Sequence, residues 1–188
     1  MSFWEALAVV TGIAYLLLAM QESLWCWVAA AISTTIYLVL FWQVRLLMES
    51  ALQLYYLVMA AYGWYHWRYG GQQAESLPIR VWSFAMHARA IIAIVLLSLI
   101  SGSILAQYTD ARLPLIDSFT TWGSILATWM VARKVLENWL YFIVIDAVSI
   151  FLYLDRELYL TVLLFAAYVV LAGLGYRTWR QHFLSQLR

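Results

Sequence analysis

At 188 residues, 65% hydrophobic and 11% charged, with a mean hydropathy of +0.80, the chain is too apolar for a soluble core, since soluble domains carry about 25% charged residues. A formal net charge of +1 gives no electrostatic basis for a nucleic-acid or acidic partner. The single cysteine, Cys26, excludes an intrachain disulfide and leaves no thiol pair for a metal.

A bilayer core needs about 20 apolar residues as helix. Seven segments meet that requirement. The first, Phe3–Met20, lacks a basic leader and a small-residue cleavage site, so it reads as a retained helix rather than a signal peptide. Leu24–Val44 and Leu47–Trp67 follow after short connections. The one real linker is Arg68–Met86, punctuated by Gly70, Gly71 and Pro78. His87–Gln107 is the fourth span. Pro114–Ala132 is the fifth, with proline in the first turn, where its missing N–H costs little. Asn138–Leu154 and Leu158–Trp179 complete the set. The runs are continuously apolar rather than alternating, which disfavours a β-barrel. The expected fold is all-α, integral to a membrane, with seven transmembrane helices.

Seven spans put the termini on opposite sides. Arg68, Arg80, Arg89, Arg133, Lys134, Arg177, Arg180 and Arg188 fall on the C-terminal side, and only Arg45, Arg112 and Arg156 on the other. Basic residues concentrate on the cytoplasmic side, so the N-terminus is expected outside and the C-terminus in the cytoplasm. Trp4, Trp25, Trp42, Trp82 and Trp179 sit near span ends and read as an interfacial belt.

A shift of 112 residues aligns two long segments without a gap. It superimposes Trp27 on Trp139, Tyr56 on Tyr168, Gly63 on Gly175 and Trp67 on Trp179. The second and third spans then match the sixth and seventh, and the fourth is left over. The expected organisation is 3+1+3: a first repeat over residues 3–67, a linker loop and helix over 68–107, and a second repeat over 114–179. With one odd helix between them, the repeats are parallel, a pattern of small transporters whose sites lie near the midplane. Polar residues break the symmetry: Cys26 aligns with Asn138, Thr34 with Asp146 and Gln53 with Phe165.

Asn138 is the only asparagine, and Asp146 lies in the middle of the sixth span. A carboxylate at the centre of a membrane helix costs about 2.5–3.5 kcal/mol on insertion scales, so it normally faces the bundle interior and marks function. At 100° per residue, Trp139, Ile143, Asp146, Ile150 and Tyr153 form one stripe, bordered by Asn138 and Phe142. In the third span Glu49, Gln53, Tyr56, Ala60, Gly63 and Trp67 share a face, with Trp64 beside it. In the fifth, Ser118, Thr121, Ile125 and Thr128 do so, flanked by Trp122 and Trp129. Three polar-aromatic stripes are expected to converge on a cavity.

Such a cavity suits a flat, polar, cationic molecule. Indole and phenol faces stack on rings and attract cations. Asn and Gln amides offer donors and acceptors, and Asp146 or Glu49 could balance a positive charge. The plainer readings stand beside these. Gln53 could be interhelical glue, Ser and Thr could bond their own backbone, and Tyr56 and Tyr168 could be packing. No H-E-x-x-H, G-x-S-x-G or P-loop is present, so no enzyme, metal or cofactor is expected. His66 and His87 read as interface residues. An intramembrane hydrolase using Asp146 and Glu49 is the alternative class, with no motif behind it. A structural or signalling subunit is the third.

Leu52-Gln53-Leu54-Tyr55-Tyr56 leading to Tyr62-Gly63-Trp64-Tyr65-His66-Trp67, Thr121-Trp122, and Ala132-Arg133-Lys134-Val135-Leu136-Glu137-Asn138-Trp139 leading to Asp146 together resemble the PnuC family of bacterial vitamin-precursor transporters. The resemblance runs through nearly the whole chain. It implies a seven-helix core like that of the SWEET sugar carriers, a homotrimer in the inner membrane, and facilitated diffusion of nicotinamide riboside, trapped by a separate cytosolic kinase. Thiamine is the alternative cargo within the family. Carried over by position, Gln53, Trp122, Asn138 and Trp139 would contact substrate, with Tyr56, Trp64, Thr121, Phe142 and Asp146 around them. The chain departs from the family pattern at Phe142, where a second Trp is common, and at Trp27-Val28-Ala29-Ala30, where Trp-Pro-x-Gly is common. Both departures bear on substrate identity.

Overall fold

The computed structural model describes residues 3–43, 47–71, 77–109, 113–155 and 159–187. Arg45, Arg112, Arg156, Glu157 and Arg188, and the side chain of Glu49, lie outside the described residues. Among the described residues there are seven helices: α1 (Phe3–Met20), α2 (Cys26–Gln43), α3 (Leu47–Tyr69), α4 (Phe84–Tyr108), α5 (Pro114–Ala132), α6 (Asn138–Asp155) and α7 (Tyr159–Gln186). They hold no strand beyond an isolated bridge between Arg80 and Val135. The expected all-α fold is therefore observed. Of these helices, α4, α6 and most of α7 are long and apolar enough to cross a membrane by length and composition.

The expected spans hold with short adjustments at their ends. α4 starts earlier than expected, because Ser83 caps it and accepts from the Met86 N–H. α7 runs on to Gln186, beyond the expected end at Trp179, because Arg180, Gln181 and Leu184 are good helix formers. The linker after α3 is not loose along its second half. Leu77 and Ile79 are 1% and 3% exposed, and the Leu136 N–H donates to the Arg80 carbonyl at 2.8 Å.

The chain divides into two compact units. The first comprises Met1–Ile79, Val131–Lys134 and Thr178–Arg188; the second comprises Arg80–Met130 and Val135–Arg177. In the first unit, Ser33 Oγ donates to the Ala8 carbonyl at 2.8 Å in a buried site, tying α2 to α1. Gly63 lets α3 approach α2 closely: a Cβ there would lie 2.3 Å from the Trp27 ring. In the second unit Gly175 does the same for α7 and α6, where a Cβ would lie 2.7 Å from the Trp139 ring. α4 buries only a narrow stripe at four-residue spacing, Ala90, Ile94, Ser98 and Gly102. Ile91, Ile92, Leu96, Leu99 and Ile100 are exposed, an apolar surface that only lipid or another apolar partner can cover.

Local geometry recurs at a spacing of 112. α1 ends in a Schellman turn, with the Glu22 N–H bonded to Ala19 O and the Ser23 N–H to Leu18 O. α5 ends in the same turn, with the Lys134 N–H bonded to Val131 O and the Val135 N–H to Met130 O. Glu22 and Lys134 take the left-handed position, at φ 54° and 50°, which glycine usually fills. The next helices begin alike: Trp25 O accepts from the Val28 and Ala29 N–H groups, and Glu137 O from those of Leu140 and Tyr141.

Candidate functional site

α6 carries the densest chemistry. Asn138 is in its first turn because the Glu137 carbonyl opens the helix, and an acidic residue there complements the helix dipole. Glu137 also accepts the Trp82 N–H at 3.3 Å and lies 3.9 Å from His87 Nε2, while His87 Nδ1 meets the Tyr141 hydroxyl at 3.0 Å. That network holds the start of α6 against the start of α4. The interface role expected for His87 fits this network.

Asn138 is completely buried. Its Nδ2 donates to the Val135 carbonyl at 2.7 Å, which fixes the amide plane. Its Oδ1 is buried and has no hydrogen-bond partner among the described residues. An unsatisfied buried acceptor costs about 1–3 kcal/mol and calls for an explanation such as a ligand or water. Ser118 Oγ in α5 is in the same condition. Trp139 is 1% exposed and Asp146 8%. Among the described residues no cation pairs with Asp146. Asn138 and Asp146 are eight residues apart, about 12 Å of helix rise.

The buried face of α6 is Asn138, Trp139, Ile145, Asp146, Ser149 and Leu152. Of the expected stripe, Trp139 and Asp146 are buried while Ile143, Ile150 and Tyr153 are half-buried, and Ile145 fills the space above Gly123 of α5. The expected stripe of α3 holds at Ala60, Gly63 and Trp67, all buried.

The other candidates divide between the units. Thr121, Trp122 and Phe142 lie with Asn138, Trp139 and Asp146 in the second unit, and all three are half-buried. Trp122 directs its indole N–H to Ser101 Oγ of α4 at 3.1 Å, so its ring face is what remains for a ligand. Gln53, Tyr56 and Trp64 belong to the first unit and are half-buried. Trp64 stands edge-on to Trp25, centroids 5.9 Å apart. With Trp4 and Trp27 it lines an open apolar groove of about 630 Å³.

One sequence reading is overturned. Trp179 is not an interfacial belt residue: it is fully buried and donates its indole N–H to the Ala19 carbonyl at 2.9 Å. Two charged residues were missed. In sequence Lys134 reads only as a topology charge and Glu22 carries no signal, yet Lys134 is 2% exposed and bonds Glu22 at 2.6 Å. Their common place in the 112-residue register was the available signal.

The family described as Nicotinamide mononucleotide transporter matches residues 2–181. The chain belongs to this family. The resemblance carried by the Gly-Trp-Tyr and Glu-Asn-Trp elements is thereby borne out, and the family is one of transporters, not enzymes. Nicotinamide riboside transporter PnuC of Escherichia coli (strain K12) is 24% identical over 205 residues, covering 95% of this chain and 85% of that protein. Riboflavin/roseoflavin transporter RibM of Streptomyces davaonensis is 26% identical over 176 residues, covering 90% and 81%. The crystal structure of the vitamin B3 transporter PnuC has the same fold, with a TM-score of 0.78 at 21% identity, over 98% of this chain and 83% of that one.

Proposed function

We propose that the chain carries nicotinamide riboside across the bacterial inner membrane, into the cytoplasm, by facilitated diffusion. The observation that carries this reading is Asn138 Oδ1, a buried acceptor with no partner among the described residues, on the same helix as a buried carboxylate at Asp146. A nicotinamide carboxamide supplies the missing N–H donor. A pyridinium supplies a charge for Asp146 and stacks on indoles. Trp139, Trp122, Thr121 and Phe142 complete the site in this reading, and Gln53, Tyr56 and Trp64 of α3 are its further proposed substrate contacts. A nucleotide fits less well, because a phosphate needs a cation, and the buried cation among the described residues, Lys134, is already paired with Glu22.

The frame in this reading is two parallel three-helix repeats, α1–α3 and α5–α7, with α4 as connector. The coincident helix starts and matching caps support it. The protein would assemble as a homotrimer, N-terminus outside and C-terminus in the cytoplasm, as the basic-residue bias supports. Proteoliposomes offered nicotinamide riboside, its mononucleotide, thiamine and riboflavin should take up the first; selective uptake of thiamine or riboflavin would refute the assignment.

Asp146 gives a sharper test. Oxidised nicotinamide riboside has a cationic ring, and the dihydro form has a neutral ring of nearly the same shape. Asp146→Asn should weaken binding of the cation about tenfold, or about 1.4 kcal/mol, while leaving the neutral form within about twofold. Titrations of intrinsic tryptophan fluorescence measure both. Equal losses for the two forms would mean that Asp146 acts in packing.

A further inference from the structure

We propose that Glu22 and Lys134, together with Trp67 and Trp179, form a gate that closes one end of the transport path and parts in each cycle. The proposal rests on the transport reading above. All of its atoms lie in the first compact unit.

The geometry is reciprocal. Trp67, at the end of α3, donates its indole N–H to the Val131 carbonyl in the last turn of α5 at 3.1 Å. Trp179 of α7 donates to the Ala19 carbonyl in the last turn of α1 at 2.9 Å. Both pairs keep the 112-residue register: Trp67 corresponds to Trp179, and Ala19 to Val131. Each third helix is thus tied to the first helix of the other three-helix set. Glu22 and Lys134 also correspond to one another, and they bond each other at 2.6 Å. Any rocking of one set against the other has to break the ion pair and both tryptophan bonds together.

The cluster is a seal. Ala19, Val131, Ala132, Lys134 and Trp179 are at most 2% exposed. The indoles of Trp67 and Trp179 lie 6.0 Å apart, and Lys134 Nζ caps the Trp67 ring at 4.8 Å. An ion pair with its lysine buried and its carboxylate only part-exposed is a poor choice for stability, because desolvation of the ammonium consumes much of the attraction and an apolar pair of similar size does as well or better. It suits a contact that must open, since both charges regain hydration when they separate. Glu22 keeps a second partner, His182 Nδ1 at 2.7 Å, so the carboxylate is not stranded when Lys134 leaves. His182 has no counterpart in the register, where Gly70 stands, which makes Lys134 the moving side.

Cys26 is a built-in reporter. It is the one cysteine, fully buried, and next to Trp27, whose ring meets that of Trp67 edge-on at 5.4 Å. In proteoliposomes a membrane-impermeant maleimide should label the wild type slowly. Lys134→Met, and the pair Trp67→Phe with Trp179→Phe, which keeps an aromatic ring at each place and removes both indole N–H donors, should shift the population towards the open state and label about tenfold faster. Glu22→Leu combined with Lys134→Met replaces the ion pair by an apolar one; it should label as slowly as wild type yet lose most uptake, because the gate is held shut. Uptake at the wild-type rate by that double variant would overturn the gate, as would wild-type labelling in both of the others. If labelling follows the gate while nicotinamide riboside is not carried, the substrate reading falls and the gate stands.

Discussion

Gly175→Ala is expected to cut transport at least about tenfold while the protein stays folded, because its added methyl group strikes the Trp139 ring. A Cβ at Gly175 would sit 2.7–2.8 Å from three ring atoms, and Trp139 is only 1% exposed, so the methyl group displaces the ring. Overpacking of this kind costs about 1–3 kcal/mol. Glycine to alanine inside a helix returns about 0.8–1.0 kcal/mol of intrinsic propensity. The two largely offset, so the melting temperature should change by only a few degrees. Function is less forgiving, since a displacement of about 1 Å at a binding surface can cost about a hundredfold. Gly63→Ala is the matched comparison. Its Cβ would lie closer still, 2.3–2.5 Å from the Trp27 ring, but Trp27 is outside the proposed substrate contacts. It should therefore lose more thermal stability and less substrate affinity than Gly175→Ala. Affinity within about twofold of wild type in Gly175→Ala would remove Trp139 from the site.

The helices were legible because length and continuous apolarity are imposed by the bilayer, and those are properties of sequence alone. α1 and α5 ran between the residues expected. α7 was underestimated because hydropathy stops at Trp179 while helix propensity continues through Arg180 to Gln186. The error over Trp179 has a related cause: an interfacial tryptophan and a buried one near a helix end read alike until the partner of the indole N–H is known. At 100° per residue Ile143 and Ile145 flank Asp146 on opposite sides of α6, and only the space over Gly123 decides which of them is fully buried. Asn138 stood out by rarity. That its Oδ1 lacks a partner is a fact of three dimensions, since it depends on Val135 having taken the Nδ2 side. Glu22 and Lys134 occupy equivalent places in the repeat but carry opposite charges. A register sought through identical residues passes over a position where the two copies differ in charge and for that reason attract.

Asn138→Leu should separate folding from function most cleanly. The substitution keeps a side chain of similar size and removes both polar ends of the amide. It loses the Nδ2 bond to the Val135 carbonyl, worth about 1 kcal/mol. It also removes the unsatisfied Oδ1, whose burial costs about 1–3 kcal/mol. The ligand-free protein should thus melt within a few degrees of wild type, or slightly above it. Binding should fall about ten- to a hundredfold, the equivalent of about 1.4–2.8 kcal/mol, because the substrate carboxamide loses its acceptor and must be buried without one. The rise in melting temperature that saturating nicotinamide riboside gives the wild type should shrink accordingly. Asn138→Asp keeps the acceptor and should retain more affinity than the leucine variant. A protein in which leucine and aspartate at this position bind equally well would show that Asn138 is a helix-start residue and nothing more. A stabilised, non-binding Asn138→Leu would mean that the empty carrier tolerates an unsatisfied acceptor because its cargo supplies the missing donor.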